Sequence, residues 1–170
     1  MLSKAIENAL NDQLKIEAVS SHYYLAMASW AENKGYPGIA DFMYQHSDEE
    51  RMHMLKLVRY INERGGVANI CSIEKPEFEF ETITDLFKSL YSHEVNVTKS
   101  INEVVGTCLD ERDYSTHNFM QWYVAEQLEE EALAREILDR LSLIGNDKGG
   151  MYLFDRDVKT FHQKAGAKPQ

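Results

Sequence analysis

Apolar residues recur on a three-then-four step through four long stretches of the chain, and that spacing predicts four helices. The first covers about 3–33, with Ser3 placed to cap it and Gly35-Tyr36-Pro37-Gly38 to stop it; its inward stripe reads Ile6, Leu10, Gln13, Glu17, Ser20, Tyr24, Met27 and Ala31. The second, about 38–64, carries Ile39, Phe42, His46, Glu50, His53, Leu57 and Ile61 and ends at a glycine pair after Arg64. The third, about 84–109, carries Phe87, Leu90, Glu94, Val97, Ile101, Val104 and Cys108. The fourth, about 115–144, carries Met120, Tyr123, Gln127, Glu130, Ala134, Ile137 and Leu141. Beyond Gly145 and Gly149-Gly150 the spacing predicts a short amphipathic helix over about 152–162 and a frayed tail from Ala165.

Between the second and third helices the period lapses for almost twenty positions. Pro76 to Glu81 there read as an extended strap with Phe78 and Phe80 on one side. A long connection at that place is what a bundle of two helix pairs needs for a single crossover. The expected fold is therefore all-α: one domain over 1–170, a four-helix bundle with a long crossover between helices two and three and a short fifth helix.

Each apolar stripe is interrupted by polar groups of one kind. The first holds Glu17, the second Glu50-x-x-His53, the third Glu94 and the fourth Gln127-x-x-Glu130. Sliding the first helix pair onto the second sets Glu17 on Glu94, Glu49 on Glu126, Glu50 on Gln127 and His53 on Glu130, so the acids fall at one depth. An uncompensated buried carboxylate costs several kcal/mol, and two divalent cations would neutralise the charges of Glu17, Glu50, Glu94 and Glu130. Oxygen donors with one imidazole form a hard set, suited to iron(II) or manganese. A di-iron carboxylate bundle has a lone Glu on each of two helices and a Glu-x-x-His on each of the others; here the second such pair is replaced.

Composition narrows the picture. The 170 residues are 44% hydrophobic with only three prolines, against disorder, and the net charge of −10 disfavours nucleic acid while favouring cations. Cys71 and Cys108 form no paired-cysteine motif. With no leader-like stretch and no membrane-length apolar run, a cytoplasmic location is expected.

The chain resembles the bacterial-type non-haem ferritins over nearly its whole length, notably in Asn118-Phe119-Met120-Gln121-Trp122-Tyr123 and Glu126-Gln127-Leu128-Glu129-Glu130-Glu131. In that family the missing second histidine is normal. The resemblance implies a first iron on Glu17, Glu50 and His53 and a second on Glu50, Glu94 and Glu130, with Glu50 bridging and Gln127 hydrogen-bonded nearby. It also implies a third iron on Glu49, Glu126 and Glu129, and Tyr24 beside the centre as an electron source. The implied activity is oxidation of iron(II) by O2, with ferric mineral held inside a shell of twenty-four subunits whose short fifth helix turns toward a symmetry axis. Haem is not expected, because Arg51 stands where haem-binding relatives place methionine, Met52 being one residue late.

Plainer readings stand beside these. Glu49 and Glu126 suit a helix surface, Tyr24 and Trp122 suit packing, His46 suits packing first and, one turn from Glu50, a place behind the ligands second, and Asp110, Glu111, Asp113 and His117 suit either a channel or a polar turn. The rival function is a di-iron oxidase or peroxidase of the rubrerythrin type without mineral storage, which would want the second Glu-x-x-His. The smaller Dps-type shells, with metal between subunits, and a non-enzymatic helical protein explain four inward acids less well.

Overall fold

The computed structural model describes residues 2–76 and 79–161. Five helices run along it: α1 (Lys4–Asn33), α2 (Pro37–Glu63), α3 (Ile83–Asp110), α4 (Tyr114–Ile144) and α5 (Lys148–Val158). No helix among the described residues is long and apolar enough to cross a membrane.

The helix ends follow from local chemistry. Ser3, Thr82 and Asp113 accept the N–H of Ile6, Asp85 and Thr116 at the starts of α1, α3 and α4. The ends of α1, α2 and α3 share one closing turn, in which a residue at positive φ sends its N–H, and its successor's, back to carbonyls of the last turn. At α1 the bonds are Gly35 N–H to Glu32 and Tyr36 N–H to Ala31. Glycine suits the turn at Gly35 (φ 83) and Gly65 (φ 76), but α3 makes it with Arg112 (φ 56). Asp113 thus closes α3 through its backbone and opens α4 through its side chain. This polar turn also receives Arg64, whose Nη2 lies 3.2 Å from Asp113 Oδ2.

The start of α2 is built differently. Its Tyr36 makes no side-chain cap; Pro37 occupies the first turn, and Asp155 of α5 reaches across so that its Oδ1 accepts the Ile39 N–H at 2.9 Å. The approach is tight enough that a Cβ on Gly38 would lie 1.7 Å from the Asp155 carbonyl oxygen. The fifth helix begins four residues before the expected start. Gly149 and Gly150 do not interrupt the chain: Asp147 accepts both their N–H groups, so they form the first turn. Its end at Val158 is also earlier, and His162 and the tail from Ala165 lie outside the described residues.

Contacts between helices give their directions. Tyr24 meets Glu94, Ser20 meets His93 and Gln13 meets Ser100, so α1 and α3 run antiparallel. A three-residue turn makes α1 and α2 antiparallel as well, so α2 and α3 are parallel, which requires the crossover to travel the length of the bundle. It does so along α1. Asn11 holds its start through Val67 and Asn69, and Trp30 meets Phe80 edge-on at 5.4 Å near its end. Phe78, expected on the same side as Phe80, lies outside the described residues.

The apolar core has two parts. One gathers Met27, Phe42, Phe87, Ile137 and Phe154; the other gathers Leu10, Leu57, Ile101, Val104 and Met120. Between them the buried residues are polar, and there the acids of all four bundle helices lie.

Candidate metal centre

The polar layer exists because of register. Glu17, Glu50 and Glu94 fall on the buried stripes of α1, α2 and α3, each with 4% or less of its surface exposed. Among the described residues, two sets of three ligand atoms close to within 4.8 Å: Glu17, Glu50 and His53, and His46, Glu94 and Glu130. In the first, His53 Nδ1 lies 3.3 Å from Glu50 Oε2 and 3.8 Å from Glu17 Oε2. In the second, His46 Nε2 lies 3.1 Å from Glu130 Oε2.

Hydrogen bonds hold most of these carboxylates in place. Gln13 donates from Nε2 to Glu17 Oε1 at 2.7 Å. The Tyr24 hydroxyl donates to Glu94 Oε1, and Gln127 Nε2 donates to Glu94 Oε2 at 2.6 Å and to the Glu94 carbonyl at 3.0 Å. Two oxygens are held by ion pairing alone: the buried Oε2 atoms of Glu50 and Glu130 accept no hydrogen bond of proper geometry, although each faces an imidazole. A buried carboxylate oxygen left in that condition suits a cation that all these groups can share.

The proton affinities carry the same strain. Burial drives the carboxyl of Glu50 well above its ordinary value, with the charges of Glu17 and Glu94 adding to it against the opposing His53 bond. Burial, then the charge of Glu130, raises Glu94 to about 7. Burial opposes the charge of His53, yet hydrogen bonding to Glu17 and Glu50 outweighs it and holds the imidazole up at about 11. His46 is raised too, its burial overcome by Glu130. Glu17 is lowered, because bonds from His53 and Glu50 exceed the effect of burial. Without metal, then, the centre holds protons more tightly than free side chains do, and a divalent cation can take their place.

The other expected residues lie around this layer. Tyr24 is fully buried, its ring 5.2 Å from that of His46. Glu49 is partly exposed, 3.6 Å through Oε2 from His46 Nδ1; burial raises its carboxyl, with the charges of Glu130 and Glu126 adding to it against those of His46 and His53. Glu49, Glu126 and Glu129 belong to neither three-ligand set. Trp122 stands edge-on to His53 at 5.1 Å with Lys56 over its own ring, and Tyr123 donates to the His53 carbonyl at 2.8 Å. Two residues gain weight over the reading of the sequence. His46, read there as packing first and as a support to the ligands second, faces Glu130 and Glu49; the signal was its place on the ligand stripe one turn before Glu50. Gln13, passed over as a stripe position, is bonded to a ligand-type carboxylate.

Residues 7–144 match the sequence family described as the ferritin-like domain. Among similar proteins, a probable bacterial non-heme ferritin-like protein of Haemophilus influenzae is 44% identical over 97% of this chain and 100% of its own length. A bacterial non-heme ferritin of Campylobacter jejuni is 42% identical, covering 94% of this chain and 95% of its own. Among solved structures, the open pore ferritin of Archaeoglobus fulgidus superposes with a TM-score of 0.91 at 40% identity, over 93% of this chain and 96% of that one.

Proposed function

The chain belongs to the ferritin family, and from that membership we propose that it oxidises iron(II) with O2 at the buried centre and stores the ferric product as mineral. The observation that carries this reading is the pair of three-ligand sets in the core, with every bundle helix contributing at least one carboxylate. Iron is the substrate here rather than a resident cofactor.

In this reading Glu17, Glu50 and His53 take one iron(II), Glu94 and Glu130 take the second, and Glu50 is shared. Each ion displaces protons that the free centre retains, which lets the carboxylates bind in charged form. Two irons give one electron each, so O2 is carried to the peroxide level. Any further electron needs another donor. Tyr24 suits the role because a phenol that loses an electron must also lose its proton, and its hydroxyl already donates to Glu94. The other donor is a third iron held by Glu49, Glu126 and Glu129. Release is favoured by a centre made mostly of carboxylates.

The storage half of the proposal needs a hollow assembly, for which a shell of twenty-four chains in the cytoplasm is the form proposed. Exposed Leu128, Leu143, Tyr152 and Leu153 are apolar surface available to neighbouring chains. The second reading, a di-iron oxidase of the rubrerythrin type, is favoured by one observation: His46 beside Glu130 gives each ligand set an imidazole, as a retained centre would want. Aerobic loading of the metal-free protein with excess iron(II), followed by gel filtration and an iron count per chain, separates them. Iron far beyond two or three per chain on a large assembly is expected; two or three per chain would favour the oxidase.

A further inference from the structure

The two lone acids of the centre are treated alike. Glu94 of α3 is held by the carboxamide of Gln127 on α4, and Glu17 of α1 is held by the carboxamide of Gln13, one turn earlier on the same helix. The second arrangement continues outward. Ser100 of α3 donates from its hydroxyl to Gln13 Oε1 at 2.7 Å, linking α3 to the Glu17 carboxylate through one amide.

The direction of this chain is fixed by chemistry. A carboxylate accepts and cannot donate, so Gln13 must turn its NH2 toward Glu17 and its carbonyl oxygen away; Ser100 then supplies the matching donor. Gln13 and Glu17 are both fully enclosed, at 0% and 1% exposure, so no water can substitute for either bond at low cost. With Oε1 tied to Gln13, Glu17 presents Oε2 toward His53.

Resting on the proposed reading of the centre, we infer that Gln13 and Ser100 are positioning residues: they hold Glu17 in the rotamer that offers Oε2 to the metal of the Glu17, Glu50 and His53 set. Neither touches that metal. Their effect is confined to one of the two sets, because the Glu94 carboxylate has its own amide in Gln127 and its own hydroxyl in Tyr24.

The test is a titration of the full-length, metal-free protein with cobalt(II), anaerobically, followed by the visible ligand-field bands. The two binding steps are assigned by Glu17→Ala and Glu130→Ala, each of which removes one. Gln13→Leu keeps the side-chain volume and is expected to weaken the Glu17 step by about tenfold, as loss of a residue orienting a metal ligand does, and to alter its band shape. The Glu130 step should stay unchanged. Ser100→Ala, which leaves the core side chain of Gln13 in place, should weaken the same step less, and Ser100→Thr, which retains the hydroxyl, should restore it. Gln127→Leu should give the mirror result on the Glu130 step. Unchanged affinity at the Glu17 step in both Gln13→Leu and Ser100→Ala overturns the inference, as does equal weakening of both steps, which would mark a general loosening of the bundle. A wild-type chain that binds fewer than two cobalt ions overturns the reading of the centre itself, and the inference with it.

Discussion

Single residues in this bundle are set against stability where they serve the centre. Glu50 has a buried oxygen without a hydrogen bond of proper geometry, set beside the like charges of Glu17 and Glu94, so Glu50→Leu should stabilise the metal-free protein by about 1–2 kcal/mol through removal of an unsatisfied buried polar group. The same variant should lose iron oxidation by roughly 100-fold. Thermal melting beside the rate of iron(III) absorbance growth checks both halves. Asp113 shows the opposite balance. Burial would raise its carboxyl, but Thr116 and Arg64 hold it below the ordinary value, so its contribution is full above the unfolded carboxyl pKa and fades as pH falls through the folded one. Asp113→Ala should cost about 1–2 kcal/mol at neutral pH through the lost α4 cap. In a melting series from neutral to acid pH the gap to wild type should shrink. His46 marks the limit of reading one helix at a time: its stripe position was visible, but its partner Glu130 comes from α4, and spacing within α2 carries no word of that.

At the scale of elements, the helix ends make two predictions. Arg112 is a side-chain-bearing residue at φ 56 in a turn that α1 and α2 build with glycine, so Arg112→Gly should stabilise by up to about 1 kcal/mol, read from chemical denaturation. Gly38 lies against the backbone of α5, where a Cβ would meet the Asp155 carbonyl at 1.7 Å. Gly38→Ala should therefore push α5 off α2, break the Asp155 cap on Ile39 and cost about 1–3 kcal/mol. Limited trypsin digestion should then cut faster after Arg156 and Lys159 while the bundle stays intact. The four long helices were legible because each has a periodic stripe and a recognisable start or stop. The fifth was misplaced at its start because glycine pairs ordinarily break helices, whereas here Asp147, two and three positions ahead of them, satisfies their N–H groups. The side-chain cap of α2 was not legible at all, since its acceptor comes from more than a hundred positions later in the chain.

The whole molecule is organised around a polar layer that divides its core, and that layer should be the least stable part until metal fills it. Zinc, which cannot be oxidised, should raise the melting temperature, by about 2.7 kcal/mol in stability at a hundredfold excess over its dissociation constant. The gain should vanish in Glu50→Leu. By itself the sequence determined that four helices would turn carboxylates inward at one depth, because a period of 3.6 residues assigns each position to a face, and burial of charge then favours a cation or a retained proton. It likewise determined the single long crossover and the membership of the ferritin family. Only the tertiary structure decided which side chains meet across helices: His46 with Glu130, Ser100 with Gln13, Tyr24 with Glu94, and Asp155 with the first turn of α2. Such pairs depend on the relative height and rotation of packed helices, which side-chain volumes fix jointly across the bundle and which no periodicity along one helix encodes.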